Sequence, residues 1–238
     1  MGIDVLIPVL GRPERIPQVA ESLKNTFQPY LLVFICSPTD TEALTACRNY
    51  ADTLVVDWHP GKGDFAKKIN TAFRETESEW VFQGATDISF SENWDMHALK
   101  VAERGFRVIG TNDLHNPAVV RGLHSTHTLF ARSYVEERPA TVDESDPVFW
   151  EGYDHQFCDM ELVEVAKRRK EWASAKRAVV EHFHPHWGNA ERDKTYIKAM
   201  RSTNRDRRLY MQRMGLNRSR QSLRVQERQR LLKERRSR

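Results

Sequence analysis

Asp87 follows directly on an apolar run, Trp80–Gly84 (WVFQG), with Thr86 before it and Ile88-Ser89 after it. A carboxylate presented just past a buried strand can ligate a divalent cation and share it with the oxygens of a phosphorylated ligand. The plain structural alternative is a turn residue or a cap on the next segment. Far along the chain, Glu181–His186 (EHFHPH) carries three histidines. Strand alternation puts His182 and His184 on one face, able to point together into one crevice, and does not choose between them. A catalytic zinc centre is disfavoured, because no third ligand has a fitting spacing. Two polar loops add anion-binding chemistry. In the first, GRPER, Pro8 ends the preceding apolar run, Gly11 permits close backbone approach and Arg12 suits a phosphate or a base edge. In the second, HPGKGD, Gly61 and Gly63 flank Lys62, which suits a ribose or phosphate contact. Each loop alone is a common strand-to-helix turn.

These residues need a scaffold that brings them together, and the apolar pattern predicts one. Residues 3–8, 30–36, 53–57 and 80–84 read as buried strands. Between them, apolar residues recur at helical spacing: Ile16, Val19, Ala20, Leu23 and Phe27, then Ala43, Ala46, Cys47 and Tyr50, then Phe65, Ile69, Ala72 and Phe73. Thr39–Glu42 reads as a capping box opening the second of these helices. Strand alternating with helix argues for a Rossmann-type, mostly parallel sheet flanked by helices, with ligands at the carboxyl ends of its strands. GRPER, HPGKGD and ATDIS all fall at those ends and should converge on one crevice. Beyond residue 95 the pattern loosens. A helix through Met96, Leu99 and Ala102 precedes a strand at 106–109, a further helix runs through Leu162, Val165 and Ala166, and 178–183 reads as a late strand.

The order IPVLGRPER, then GKGDFAKKINTAF, then a strand leading into ATDISF, resembles the family-2-type glycosyltransferases of the GT-A fold. The resemblance spans residues 1 to about 215 and is strongest over 3–95 and 150–190. It implies a nucleotide-sugar donor, UDP-type favoured, held by Pro8, Gly11, Arg12, Gly61, Lys62, Gly63, Asn70 and Thr86. It also implies a divalent cation, manganese or magnesium, at an Asp-x-Asp motif. Here Ser89 stands where the second Asp is usual, so Asp87 is left as the motif's carboxylate and needs His182 or His184 beside it. The segment Tyr153–Leu162 (YDHQFCDMEL) looks like the family's helix start beneath the acceptor, which makes Asp159 the first choice for a catalytic base, Glu161 the second and Asp154 the third. An N-terminal helix cap is the equally simple reading of Asp159. His124, Ser125 and His127 lie where the acceptor loop should be. Trp94, Trp150 and Trp187 can stack on an acceptor ring, although packing is the default for each.

Charge divides the chain unevenly. Residues 201–238 hold 14 Lys or Arg against 3 acids, a local +11, so the net +4 leaves −7 on the first 200 residues. The expected organisation is therefore a GT-A domain over 1–200 and a basic helical tail over 201–238. That tail supports a second function class, a nucleic-acid-binding protein whose α/β domain is a silent scaffold. It also leaves a modified nucleic-acid base among the acceptors, beside carbohydrate and protein hydroxyls. A nucleotidyltransferase is disfavoured, since its glycine-rich, lysine-bearing signature near the first strand is absent. No apolar run approaches a membrane span or a secretory signal, and Cys36, Cys47 and Cys158 are scattered, which predicts a cytoplasmic protein.

Overall fold

A computed structural model describes residues 2–57 and 64–215. Its first half follows the strand–helix rhythm of the sequence. β1 (Ile3–Pro8) pairs in parallel with β2 (Tyr30–Cys36), and the intervening α1 (Ile16–Leu23) buries Ile16, Val19, Ala20 and Leu23 along one face. α2 (Thr41–Arg48) leads to β3 (Asp52–Val55), which pairs in parallel with β2. The cap of α2 is Asp40 rather than Thr39: one carboxylate oxygen accepts from the Ala43 amide at 3.4 Å and the other from the Gly11 amide at 2.6 Å. α3 (Phe65–Glu75) then returns the chain to β4 (Trp80–Gln83), parallel to β1.

The second half departs from that rhythm. β5 (Ile88–Phe90) is followed by α4 (Trp94–Ala102), β6 (Val108–Asn112), the short α5 (Pro117–Val120), β7 (Thr128–Ala131) and α6 (Arg132–Glu137). After a long connection come α7 (Cys158–Arg168), β8 (Trp172–His182), α8 (Lys194–Met200) and α9 (Thr203–Arg213). The eight strands lie in the order β3-β2-β1-β4-β7-β6-β8-β5. β7 runs antiparallel to both β4 and β6, β8 is parallel to β6, and β5 is antiparallel to β8. The mostly parallel sheet flanked by helices is thus present, with the antiparallel pairs concentrated where the sequence pattern loosens.

Two differences from the sequence expectation have local causes. β5 has three residues, too short for alternation to register. β8 begins at Trp172, six residues before the expected strand, because exposed Lys176 and Arg177 interrupt its apolar pattern. The β6–β8 register jumps from Gly110↔Ser174 to Asn112↔Val179, an irregularity that frees the end of β8 to pair with β5. Trp94 is fully buried against Phe82 and Phe90, with ring centroids 4.8 and 5.0 Å away, so it belongs to the core.

The described part of the basic segment packs on the body. Tyr210 and Met214 join the core cluster. Asp206, fully buried on α9, accepts the amides of Asp154, His155 and Gln156, each at 3.0 Å, and so holds the approach to α7. Residues 216–238 lie outside the described residues.

Candidate functional site

The carboxyl ends of β1 and β4 open onto a cavity of about 200 Å³. Pro8, Arg12, Thr86, Asp87, His127, Asp159, His182 and His184 line it, together with Asp64, Lys68 and residues of α8. The loop bearing Gly61, Lys62 and Gly63 lies outside the described residues.

Close approach of backbone builds the Asp87 corner. β4 runs into Gly84, where an added Cβ would stand 2.6 Å from the Ile7 side chain and 3.0 Å from that of Ile88. The chain can therefore cross the end of β1 and enter β5. The β5–β8 register pairs Ile88 with His182, and the Phe183 amide donates to the Asp87 carbonyl at 2.8 Å. This pairing brings His182 Nε2 to 3.7 Å from Asp87 Oδ1. From the other side Arg12 Nη1 donates to Asp87 Oδ2 at 2.9 Å, and Arg15 Nη1 lies 3.7 Å from the same oxygen. Burial works against ionising Asp87, but His182, Arg12, His127 and Arg15 outweigh it and hold the carboxyl below its ordinary range.

Arg12 is poised by strain and by pairing. Gly11 and Arg12 are both left-handed, at φ 62° and 59°, a conformation costly for arginine and frequent at functional sites. Its Nε and Nη2 donate to the two oxygens of Asp193 at 2.7 and 3.0 Å, a fork that ties the β1 loop to the cap of α8. α8 closes that side with Thr195, Tyr196 and Ala199.

Histidines form the cavity's interior edge. The His127 and His182 rings meet edge to face at 4.9 Å, and His184 lies 5.1 Å beyond His182. His127 is 4% exposed with both ring nitrogens lacking a hydrogen-bond partner, as does the buried Nδ1 of His182. Burial, followed by repulsion from His182, pushes the pKa of His127 down to about 3. The same two causes lower His184 to about 4. Neutral imidazoles with free nitrogens are metal-ligand chemistry. Among the described residues no ready set of three His, Cys, Asp or Glu side chains could hold a metal ion. The 3.7 Å between Asp87 and His182 lies between the two ligand spacings of an octahedral ion, so the pair would close by about 0.7 Å to bind one as neighbours. Ligands about 2.1 Å from a magnesium-sized centre stand about 3.0 Å apart when adjacent and about 4.2 Å apart when opposite, and phosphate oxygens commonly complete such sites.

Asp159 faces this cluster from the first turn of α7, whose cap, Phe157, is itself left-handed at φ 73°. Asp159 is therefore not the cap. Its Oδ2 is 3.0 Å from His124 Nε2. Burial opposes its ionisation, and the hydrogen bond and charge of His124 more than offset that, so its carboxyl also lies below the usual range.

Three expected site residues are placed elsewhere. Asn70 is fully buried, donating to the Phe149 carbonyl at 2.7 Å and accepting the Val148 and Phe149 amides. It clamps the connection before α7. Ser125 is fully buried, with its hydroxyl on the His127 carbonyl. Glu161 points to the far side of α7, where the Tyr153 hydroxyl, the Val142 amide and Arg213 take up both its oxygens. Gly11 shapes the loop and does not itself line the cavity. Conversely, the Asp64–Lys68 ion pair, 2.9 Å, is on the cavity wall, with Lys68 also donating to the Val9 carbonyl. Its i, i+4 spacing was the signal in the sequence.

No family model and no curated protein matches this sequence. Solved structures do match in fold. Glucosyl-3-phosphoglycerate synthase from Mycobacterium tuberculosis, in complex with Mn2+, UDP and phosphoglyceric acid, superposes with a TM-score of 0.60 at 13% identity, over 90% of this chain and 78% of that one. The mannosyltransferase PcManGT from Pyrobaculum calidifontis, in complex with GDP-Man and Mn2+, gives 0.59 at 15% identity, over 76% and 56%. TarS 1-349 from S. aureus in complex with UDP gives 0.54 at 14% identity, over 73% and 57%. The chain spans 35% of the longer TarS chain and 58% of its 1-349 form. Identity at this level establishes the fold: the chain has the GT-A-type fold of nucleotide-sugar glycosyltransferases, as its motifs implied.

Proposed function

We propose that this chain transfers a sugar from a nucleotide-sugar donor, UDP-type favoured, to an acceptor hydroxyl. The observation that carries this reading is the meeting of Asp87 and His182 at 3.7 Å beside Arg12, across one cavity from Asp159. Asp87 and His182 would hold a divalent cation, manganese or magnesium, with His184 the alternative imidazole. When bound, the ion supplies positive charge to the diphosphate leaving group. Arg12 and Lys68 add to the same field. His184 already uses Nδ1 to accept the His186 amide at 3.2 Å, which favours His182.

Asp159 acts as general base in an inverting transfer. The acceptor oxygen attacks the anomeric carbon, its proton passes to the carboxylate, and the bond to the donor phosphate breaks. His124 keeps that carboxylate ionised and oriented. Glu161 is not retained for this role, because its oxygens are taken up on the opposite face of α7. A cytoplasmic location belongs to this reading and rests on cysteine usage. Among the described residues no helix is long and apolar enough to cross a membrane.

The nucleic-acid-binding scaffold is not favoured. Within the described part of the basic segment, Arg205 pairs with Asp154 and Asp206, and Arg213 with Asp143 and Glu161. Those charges serve the fold.

The test combines binding and turnover. UDP titrated into the protein by calorimetry should bind more tightly with MnCl2 than with EDTA. UDP-glucose, UDP-N-acetylglucosamine and GDP-mannose should be hydrolysed slowly, and Asp87→Ala should lose at least tenfold in both assays without loss of thermal stability. Metal-independent UDP binding with unchanged turnover in Asp87→Ala would remove the site assignment.

A further inference from the structure

A second cavity, about 450 Å³, adjoins the first on the far side of Asp159. The two share Thr126, Gln156, Asp159, His182 and His184 as a common wall. The second continues along α7 to Met160 and Glu164 and is bounded by Asn116, Leu123, Phe157 and Trp187. Its surface has two characters. Trp187, Phe157, Met160 and Leu123 provide apolar faces, and Asn116, Gln156, Thr126 and Glu164 provide hydrogen-bonding groups. Trp187 is steadied by the His186 ring edge to face at 4.6 Å.

The charge of this second cavity is as informative as its shape. Asp159 and Glu164 line it, and no lysine or arginine does among the described residues. The nearest cation on α7, Lys167, is turned to the Leu123 carbonyl at 2.7 Å and to Glu164 at 2.6 Å, and lies over the Trp172 ring. Arg121, beside the Asn116 end, gives its Nε to the Pro117 carbonyl. An anionic molecule here would meet two carboxylates, Asp159 beside His124 and Glu164 beside Lys167. It would also meet the rings of His124, His182 and His184, with no lysine or arginine among the described lining residues. A hydroxylated ring without charge would find a stacking face, neutral hydrogen-bond partners and a carboxylate at the shared wall.

Building on the glycosyltransferase reading above, we infer that this second cavity is the acceptor subsite and that it selects an uncharged ring bearing a hydroxyl, with Trp187 as its platform and Glu164 as the residue that turns anions away. Such a ring can come from a neutral sugar or from a hydroxymethylated pyrimidine. Both present an apolar face to Trp187 and a hydroxyl toward Asp159.

Ligand-observed saturation-transfer NMR on the full chain with UDP and MgCl2 tests this, using three probes: p-nitrophenyl β-glucoside, 5-hydroxymethyl-2′-deoxycytidine and 3-phosphoglycerate. At least one neutral ring should give a signal and phosphoglycerate none, and whichever neutral probe binds identifies the source. Trp187→Ala should abolish that signal while UDP affinity by calorimetry stays within twofold. Glu164→Lys, at a half-exposed position of α7 outside the hydrophobic core, should bring phosphoglycerate binding up by at least tenfold. Phosphoglycerate binding to the unaltered chain, silence from both neutral rings while UDP binds, or a neutral-ring signal indifferent to both substitutions would each overturn the inference. Failure of UDP itself to bind would instead strike the donor reading on which it rests.

Discussion

The two faces of α7 hold carboxylates two residues apart that are similar in sequence and opposite in situation. On one face, Asp159 meets His124 and looks onto both cavities. On the other, Glu161 is 2% exposed and saturated by Tyr153, Val142 and Arg213, whose guanidinium also forks onto Asp143 and lies 3.9 Å over the Trp150 ring. A buried acid with all its acceptor capacity filled is part of the framework. An acid that keeps capacity toward a cavity is available for chemistry. The same contrast separates Asp87, on the cavity, from Asp206, which is spent on three backbone amides.

Substitutions on the two faces should therefore fail in different ways. Asp159→Asn should lower kcat by about 10²–10⁴, the usual share of a general base, with UDP affinity and melting temperature unchanged. A fall in stability instead of kcat would erase the distinction between the faces. Glu161→Ala should cost about 1–3 kcal/mol, because it leaves the Tyr153 hydroxyl and the Val142 amide without their partner while Arg213 keeps its fork onto Asp143. Chemical denaturation measures this, and the residual folded fraction should keep its turnover per active molecule.

Acid should probe the cavity side again, through His127. Its folded pKa of about 3 lies below the unfolded value of about 6.5, so the unfolded chain binds the extra proton between those limits. Stability is full above pH 6.5 and declines as pH falls toward 3, by up to roughly 1.4 kcal/mol per pH unit from this group. His127→Gln in metal-free buffer should flatten that part of the melting-temperature profile. The smallest effect is expected at Asp193→Asn. Asparagine still caps α8 but releases Arg12 from its fork, which should tighten UDP about two- to fivefold, consistent with the ~0.2–1 kcal/mol of a part-exposed ion pair. Weaker UDP binding in that variant would mean that Asp193 presents Arg12 to the donor and does not compete for it.

The parallel half of the sheet was legible because its strands are short, mostly apolar runs, and each intervening helix repeats its apolar residues at helical spacing. The antiparallel half was not. β5 is three residues long, and β8 carries Lys176 and Arg177 in mid-strand. Side-chain roles show the same limit. Asn70, Ser125 and Glu161 have residue types that fit a site, and only packing shows where their hydrogen bonds go. Trp94, Trp150 and Trp187 are alike in sequence, yet one lies in the core, one lies beneath Arg213 and one lines the second cavity.

By itself, the sequence determined the strand–helix order of the parallel half, the GRPER loop after the first strand and the placing of Asp87 just past a core strand, since these follow from local periodicity and turn chemistry. Tertiary structure decided which histidine meets Asp87, which face of α7 meets the cavity and that Arg12 is held by Asp193. Those contacts join residues 95, 35 and 181 positions apart. A register between β5 and β8, and the packing of α8 against the β1 loop, set such distances, and no local pattern encodes them.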